Sequence, residues 1–290
     1  MLKNIIFIME ARDRLWSVAI RRELERIRRK LKKNEVMVST RICTKESAAD
    51  WVKRYQAMAD GSESLFVTDV GEVMDACRQA GCYAIAYLHA ENPNMWQALY
   101  AIQNVGELEY ESFEQAYQRL AGLPWHIADT KRLVIRETTQ EDIKAFYDIY
   151  EDPSITFYME NLYDDIERER EYMQTYIEKI YGFYGYGIWT LLLKDNGTVI
   201  GRAGLSWREG YSIPELGFVI GTQYQKKGYG FEACEKILEL AKTEYEFEQV
   251  QALVENQNEP SKQLLYKLGF TGQTVIRENS KEYILFVKKV

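Results

Sequence analysis

Gly122-Leu123-Pro124-Trp125 constrains the fold of this chain more than any other feature. Proline disfavours helix for the residue before it, and the glycine ends the helical pattern that carries Tyr117. The two flanks are patterned differently. Upstream, short apolar runs alternate with helical stretches. Downstream, one proline- and glycine-punctuated series of strands is framed by helices. A chain of 290 residues exceeds the usual size of one domain. Residues 1–122 therefore read as one domain, 123–130 as a brief linker and 131–290 as a second domain.

Charge follows the same division. Residues 11–54 hold 14 Lys/Arg and 6 Asp/Glu, although the whole chain carries −7. The acidic total argues against a general nucleic-acid binder. Four cysteines occur without a C-x-x-C pair, and only two histidines, so no zinc site is expected. Reduced thiols and a cytoplasmic location are the expectation. No apolar stretch reaches the roughly 18 residues of a membrane span.

The first half reads as a small, doubly wound, mostly parallel α/β sheet of the Rossmann-like kind. Ile5 to Met9 is a buried strand. Ile20, Leu24, Ile27 and Leu31 recur on one helical face, opposite Arg21, Arg22, Arg28, Arg29, Lys32 and Lys33. A strand over Val36 to Ile42 and a helix over Glu46 to Ala59 follow. Leu65 to Val67 is a strand ending at Thr68-Asp69. A helix to Ala80 and a strand over Tyr83 to Leu88 come next, then helical stretches around Trp96 and Tyr117.

The second half opens with a strand over Leu133 to Arg136. Thr139 caps a helix over Glu141 to Tyr150, and a second helix covers Asp165 to Tyr181. The glycine-aromatic tract Tyr181 to Gly187 reads as a bend. Strands follow at Ile188–Leu193, Val199–Trp207 and Glu215–Ile220, with a hairpin turn at Asp195-Asn196-Gly197. A helix over Phe231 to Glu244, a strand over Val250 to Val254, a helix over Pro260 to Leu268 and terminal strands including Tyr283 to Val287 complete the chain.

The sharpest chemical feature is Gln225-Lys226-Lys227-Gly228-Tyr229-Gly230, between a strand and a helix. Its glycines allow a tight turn whose free N–H groups, with the helix dipole, suit a pyrophosphate. It lacks the Gly-Lys-Ser/Thr ending of a nucleotide-triphosphate loop and the three-glycine dinucleotide spacing. Glu215-Leu216-Gly217-Phe218-Val219-Ile220 lies upstream. Asn258-Glu259-Pro260-Ser261 and Leu268-Gly269-Phe270 lie downstream.

These elements, in this order, resemble the GNAT superfamily of acyl-CoA-dependent N-acetyltransferases over residues 130–290. The opening Thr130-Lys131-Arg132-Leu133-Val134-Ile135-Arg136 is similar to the ribosomal-protein N-terminal acetyltransferase subgroup. The resemblance implies an α+β mixed sheet with splayed central strands and acetyl-CoA as co-substrate, with no metal. It implies pantetheine contacts at Phe218, Val219 and Ile220, with Asn258 and Ser261 on its polar side. Pyrophosphate would lie on Gln225, Lys226, Lys227, Gly228, Tyr229 and Gly230. A backbone N–H of the Glu215–Ile220 strand would polarise the thioester.

The acceptor amine must attack uncharged, and free amines have pKa values of ~7.7–8.0 at an N-terminus and ~10.4 on lysine. Glu215, at the start of the central strand, is the candidate base, with a strand-end salt bridge as the alternative reading; Glu255, at the end of the next strand, is a second candidate, with a solvated loop residue as its alternative reading. The family places a tyrosine seven residues after the motif asparagine, to serve the departing thiolate. Here that position is Leu265, and Tyr266, one step on, is the candidate acid. Tyr184, Tyr186 and Trp189, with Tyr181 and Phe183, are candidates for an aromatic acceptor wall or for plain core packing. Asp164, Asp165 and Glu167 could attract a cationic amine or simply begin a helix.

In the first half, Leu65 to Asp69, Ala76, Ala80-Gly81 and Tyr83 to Tyr87 resemble the later part of a haloacid-dehalogenase-type phosphatase, over residues 60–105. The aspartate pair such enzymes need after the first strand is missing from Met9-Glu10-Ala11-Arg12-Asp13. This half is expected to be a non-catalytic platform. Its basic helix, Arg21 to Lys33, is either a solvated face or a dock for an anionic partner. The expected partner of the second half is an amine, as a protein N-terminus, a lysine or a small molecule, acting on a monomer or homodimer. The competing reading is a CoA-binding sensor or scaffold without turnover.

Overall fold

The computed structural model describes residues 1–56, 61–90, 92, 95, 98–278 and 281–290, without the side chains of 45–47 and 56. The chain divides into two compact units, Met1–Leu123 and Pro124–Val290.

In the first unit the strands are β1 (Asn4–Glu10), β2 (Met37–Cys43), β3 (Ser64–Thr68), β4 (Tyr83–Tyr87) and β5 (Ala101–Ile102). They form one parallel sheet in the order β2-β1-β3-β4-β5. The helices are α1 (Arg14–Leu31), α2 (Lys45–Gln56), α3 (Gly71–Gln79) and α4 (Tyr110–Leu120). Strands β1 and β3 are buried on both faces, which explains their unbroken apolar runs. Apolar clusters lie on both sides of the sheet, one against α1 and α4 and one against α2 and α3. Asp13 caps α1 by accepting from the N–H groups of Leu15 and Trp16. Ile20, Leu24, Ile27 and Leu31 are buried, while Arg21, Arg22, Arg28, Arg29, Lys32 and Lys33 are exposed. Arg28, Arg29 and Lys30 in the last turn complement the helix dipole. The two-residue strand β5 is too short to leave a periodic signal. The helix expected through Ala59 and the one around Trp96 run into residues outside the described set.

In the second unit the strands are β6 (His126–Asp129), β7 (Leu133–Arg136), β8 (Ile188–Leu193), β9 (Val199–Ser206), β10 (Glu215–Ile220), β11 (Gln249–Glu255), β12 (Thr271–Glu278) and β13 (Lys281–Lys289). The helices are α5 (Ile143–Tyr150), α6 (Pro153–Thr156), α7 (Ile166–Tyr176), the single turn α8 (Gly182–Tyr184), α9 (Tyr229–Thr243) and α10 (Glu259–Lys267). The sheet order is β12-β13-β11-β10-β9-β8-β7-β6. All neighbours are antiparallel except β10 and β11, which run parallel and share the single pair Glu215↔Gln251. Beyond that pair the two strands part and leave a wedge.

One face of this sheet packs on α9 and α10 through Trp189, Leu205, Leu216, Ile237, Leu265 and Phe286. The other packs on α5, α6 and α7 through Phe146, Ile149, Ile155, Met173 and Val219. Thr139 and Asp142 form a reciprocal capping box ahead of α5, and Arg136 clamps Asp142 at 2.6 Å.

The stretch expected as a bend is helical as far as Tyr184 and bends at Gly185. A wide π turn over Ile177–Tyr181 continues α7 into α8, and the chain reverses at Gly185 with φ 73°. The wide turn sets two tyrosines on the start of β8. Tyr176 Oη accepts from the Ile188 N–H at 2.8 Å, and Tyr181 Oη donates to the Ile188 carbonyl. A Cβ at Gly187 would lie 2.6 Å from the Tyr181 ring, so only glycine fits there.

Candidate functional site

The wedge supplies the first part of the site. Gly221 N–H bonds to the Ile200 carbonyl, and Gln251 N–H bonds to the Pro214 carbonyl. Backbone groups alternate in direction along a strand. The odd residues of β10 therefore bond to β9, and the even ones face β11. Past Glu215↔Gln251 there is no strand to receive them. The N–H and carbonyl of Phe218 and the N–H of Ile220 thus point into the wedge. Val219 differs from its neighbours: its backbone belongs to the β9 ladder, opposite Arg202.

The turn at Gln225–Gly230 supplies the second part. Lys226 has φ 57° and Gly228 has φ 84°, so the backbone turns twice through the left-handed region before α9 begins. Among the described residues, the N–H groups of Lys226 to Phe231 have no acceptor; the first α9 bond runs from Glu232 N–H to the Gly228 carbonyl. A row of free N–H groups at the start of a 15-residue helix is a cradle for an anion, so these residues fit a pyrophosphate. Gln225 faces elsewhere: its side-chain amide donates to the Ile220 carbonyl at 2.9 Å and ties the turn to the end of β10.

Sequence reasoning missed what braces this turn. Arg132 donates from Nε to Glu232 at 2.7 Å and from a terminal nitrogen to the Lys227 carbonyl at 2.9 Å, and lies 4.2 Å over the Tyr229 ring. Glu232 also accepts from Thr130 Oγ1 at 2.6 Å and from the Arg132 N–H at 2.7 Å. Burial alone would raise the Glu232 carboxyl, but these hydrogen bonds outweigh it and hold it low. The signal was present as Thr130-Lys131-Arg132, read only as a family marker.

Glu215 stands at the apex of the wedge. Burial raises its carboxyl, Arg208 at 3.4 Å pulls it back, and Glu278 pushes it up further. Its Oε2 and the Gln251 side-chain nitrogen are buried without a hydrogen bond. Glu215, Gly217 and Val219 share the face of β10 that looks toward α5 and α7. Glu255, the other carboxylate considered, pairs with Lys281 at 2.8 Å.

Asn258 caps α10 by accepting from the Ser261 N–H at 3.2 Å. Leu264 faces the α9 turn, 3.4 Å from where a Gly230 Cβ would stand. Two residues on, a helix has turned by about 200°. Tyr266 accordingly faces outward, 58% exposed and edge-on to Phe286, while Leu265 is fully buried. The structure does not bring the Tyr266 hydroxyl to the wedge.

The aromatic wall also needs correction. Trp189 is fully buried on the α9 face of the sheet, not the α7 face, and stacks on Tyr245. Tyr186 packs against Tyr245 and Phe247 in the same cluster. Tyr184 lies beside it, 41% exposed. The opposite face carries Phe146, Tyr147 and Tyr150 of α5. Of the acidic run, Asp165 caps α7 by accepting from the Glu167 N–H.

Residues 132–271 match the model of the acetyltransferase (GNAT) domain. An N-acetyltransferase of Bacillus licheniformis named p20, itself uncharacterized, is 27% identical over 154 residues, covering 52% of this chain and 86% of that protein. A GNAT-family acetyltransferase structure from Bordetella pertussis superposes with a TM-score of 0.50 at 19% identity, over 57% of this chain and 99% of that one. RimL, a ribosomal L7/L12 alpha-N-protein acetyltransferase, superposes with a TM-score of 0.50 at 10% identity, over 58% and 96%. At those identities the two structures speak for the fold. The family uses acetyl-CoA, whose pyrophosphate the free N–H row would hold and whose pantetheine the wedge would admit. Wedge, anion turn and family match fall on the same stretch: residues 132–271 are a GNAT acetyltransferase domain of the acyltransferase class.

Proposed function

We propose that this domain moves the acetyl group of acetyl-CoA directly to a primary amine, with Glu215 as the base. The observation that carries this reading is the position of Glu215. It lies at the apex of the wedge, one strand face away from the open Phe218 N–H, with a carboxyl raised by burial. A raised carboxyl is a stronger base once ionised, which suits removal of a proton from an ammonium group. Phe218 N–H is the donor that would hold the carbonyl oxygen as charge develops on it. Lys226 to Gly230 would hold the pyrophosphate, and Gln225 would fix their turn.

Direct transfer is favoured over a covalent enzyme intermediate. Cys234 is the one cysteine of this unit, and burial pushes its thiol up to about 12. A thiol so buried supplies no thiolate near neutral pH. With Leu265 buried and Tyr266 facing outward, water or another tyrosine would return the proton to the departing sulfur. The same feature favours the second reading, a CoA-binding protein without turnover.

The test is release of free CoA thiol from acetyl-CoA in the presence of a panel of amines and peptides. Amine-dependent thiol release supports transfer. CoA binding with no release on any amine supports the second reading, and no CoA binding overturns both.

A further inference from the structure

Several arginines of the second unit hold a carboxylate: Arg132 holds Glu232, Arg136 holds Asp142 and Arg208 holds Glu215. Arg202 does not, and unlike the exposed Arg168, which lies over Tyr163, it is drawn into the structure. It is half-buried in the middle of β9 and forms no ion pair with any described carboxylate. Its guanidinium lies 4.6 Å over the Phe146 ring and bonds to the Tyr150 hydroxyl, while its Nε is buried with no acceptor. A buried donor left unsatisfied costs free energy and calls for an explanation. Tyr176 and Tyr181 also lie within its electrostatic reach and are held neutral by burial.

Its place gives the explanation. Arg202 is directly opposite Val219, so both side chains stand on the face that looks toward α5 and α7. Glu215 stands on that face too, four residues along β10, or about 13 Å at ~3.3 Å per residue. Between them Gly204 pairs with Gly217, and neither contributes a side chain. Between a base at one end and an uncommitted cation at the other, β9 and β10 thus add no side chain, and the Ile188 side chain of β8 covers Gly217, its Cδ1 3.3 Å from where a Cβ there would stand.

Resting on the acetyl-transfer reading, we propose that the acceptor is an amine that also carries a carboxylate within a few bonds of its nitrogen, and that Arg202, with Tyr150, binds that carboxylate. The amine then points along β10, beside the Ile188 side chain, toward Glu215. The aromatic floor of Phe146 excludes water and strengthens the guanidinium–carboxylate contact.

The test uses the full chain saturated with CoA. Calorimetry measures the Kd of N-acetyl derivatives of the common amino acids and of their carboxamides, which differ only in charge. At least one acid should bind about tenfold or more tightly than its amide. Arg202→Gln should erase that difference while leaving CoA affinity unchanged, and Arg202→Lys should keep part of it. Equal binding of every acid and its amide by the unaltered protein overturns the inference and leaves the acetyl-transfer reading intact. So does an acid preference that survives in R202Q. If R202Q fails to fold, the unaltered protein's comparison still decides, with Tyr150→Phe as the second variant. Failure of CoA itself to bind overturns both readings.

Discussion

Each unit presents polar groups where its strands end, and the two ends differ in one respect. In the first unit, β1 and β3 meet at the switch point of a doubly wound sheet, where ligands usually bind. There most of the groups are paired with one another. Asp69 is 3% exposed and accepts from the Glu10 N–H at 2.8 Å. His89 Nε2 lies 3.1 Å from Asp69, Asn92 donates to the Asp69 carbonyl at 2.7 Å, and Arg12 pairs with Glu10 at 2.9 Å. His89 is packed between Trp16 and Tyr87. In the second unit, the N–H groups of Phe218, Ile220 and Lys226 to Phe231 are left open. Polar groups that close on each other hold a fold together. Groups held rigid yet unpaired anticipate something from outside.

The contrast can be broken at either end. Removing the base should have the largest effect: Glu215→Gln should lower kcat by about 10²–10⁴-fold with little change in acetyl-CoA affinity. In the unaltered protein the acid limb of the kcat/KM profile should lie above the ordinary carboxylate range. Activity falls as pH falls, because protonation of the raised carboxyl removes the base; E215Q should abolish that limb. An unchanged kcat in E215Q would free Glu215 from the role.

Gly228→Glu should weaken CoA by about a hundredfold or more, read by calorimetry. It puts an L side chain at φ 84° and a carboxylate on the anion turn. Normal affinity in G228E would mean the pyrophosphate lies elsewhere. Arg132→Ala should act more mildly, raising the CoA Kd about tenfold by loosening the turn without touching its N–H groups. An effect as large as that of G228E would make Arg132 a direct ligand.

Asp69→Asn should leave acetyl transfer unchanged and lower stability by about 1–3 kcal/mol. Its pH dependence has a defined sign. Burial raises the Asp69 carboxyl, so the folded chain binds more protons there and stability falls as pH rises from the unfolded value toward the raised one. D69N should remove that slope, seen as Tm against pH. A loss of activity in D69N at a temperature where it stays folded would end the view of this cluster as structural.

The anion turn was legible in the sequence because its glycines and its place between strand and helix report backbone conformation directly. The wedge was legible only through resemblance: nothing in Glu215 to Ile220 says that β11 will leave after one rung. Of the two readings open for Tyr186 and Trp189, core packing holds for a specific reason. Tyr184, Tyr186 and Trp189 are close in sequence to the right strand, but strand parity decides their face, and the π turn upstream sets the entry to β8. Phe146 and Tyr150, like Tyr172 and Tyr176, are four apart on helices. That spacing marks one face of a helix without saying whether it meets core or ligand. Arg202 carried no signal, because an arginine inside a strand gains its meaning only from the absence of a partner. His126–Asp129 and Ala101–Ile102 are strands too short for any period to show.

The parting of β10 and β11 makes the protein its own spectroscopic gauge. The amide hydrogens of Phe218 and Ile220 belong to a central strand of an eight-stranded sheet, yet lie on its one unzipped side. Central-strand amides normally exchange only through large openings of the fold. These two should exchange early in the free protein and become protected when CoA fills the gap, while Val219 between them stays slow throughout. Alternating fast and slow amides along one strand would then count occupied molecules, with no acceptor and no turnover required.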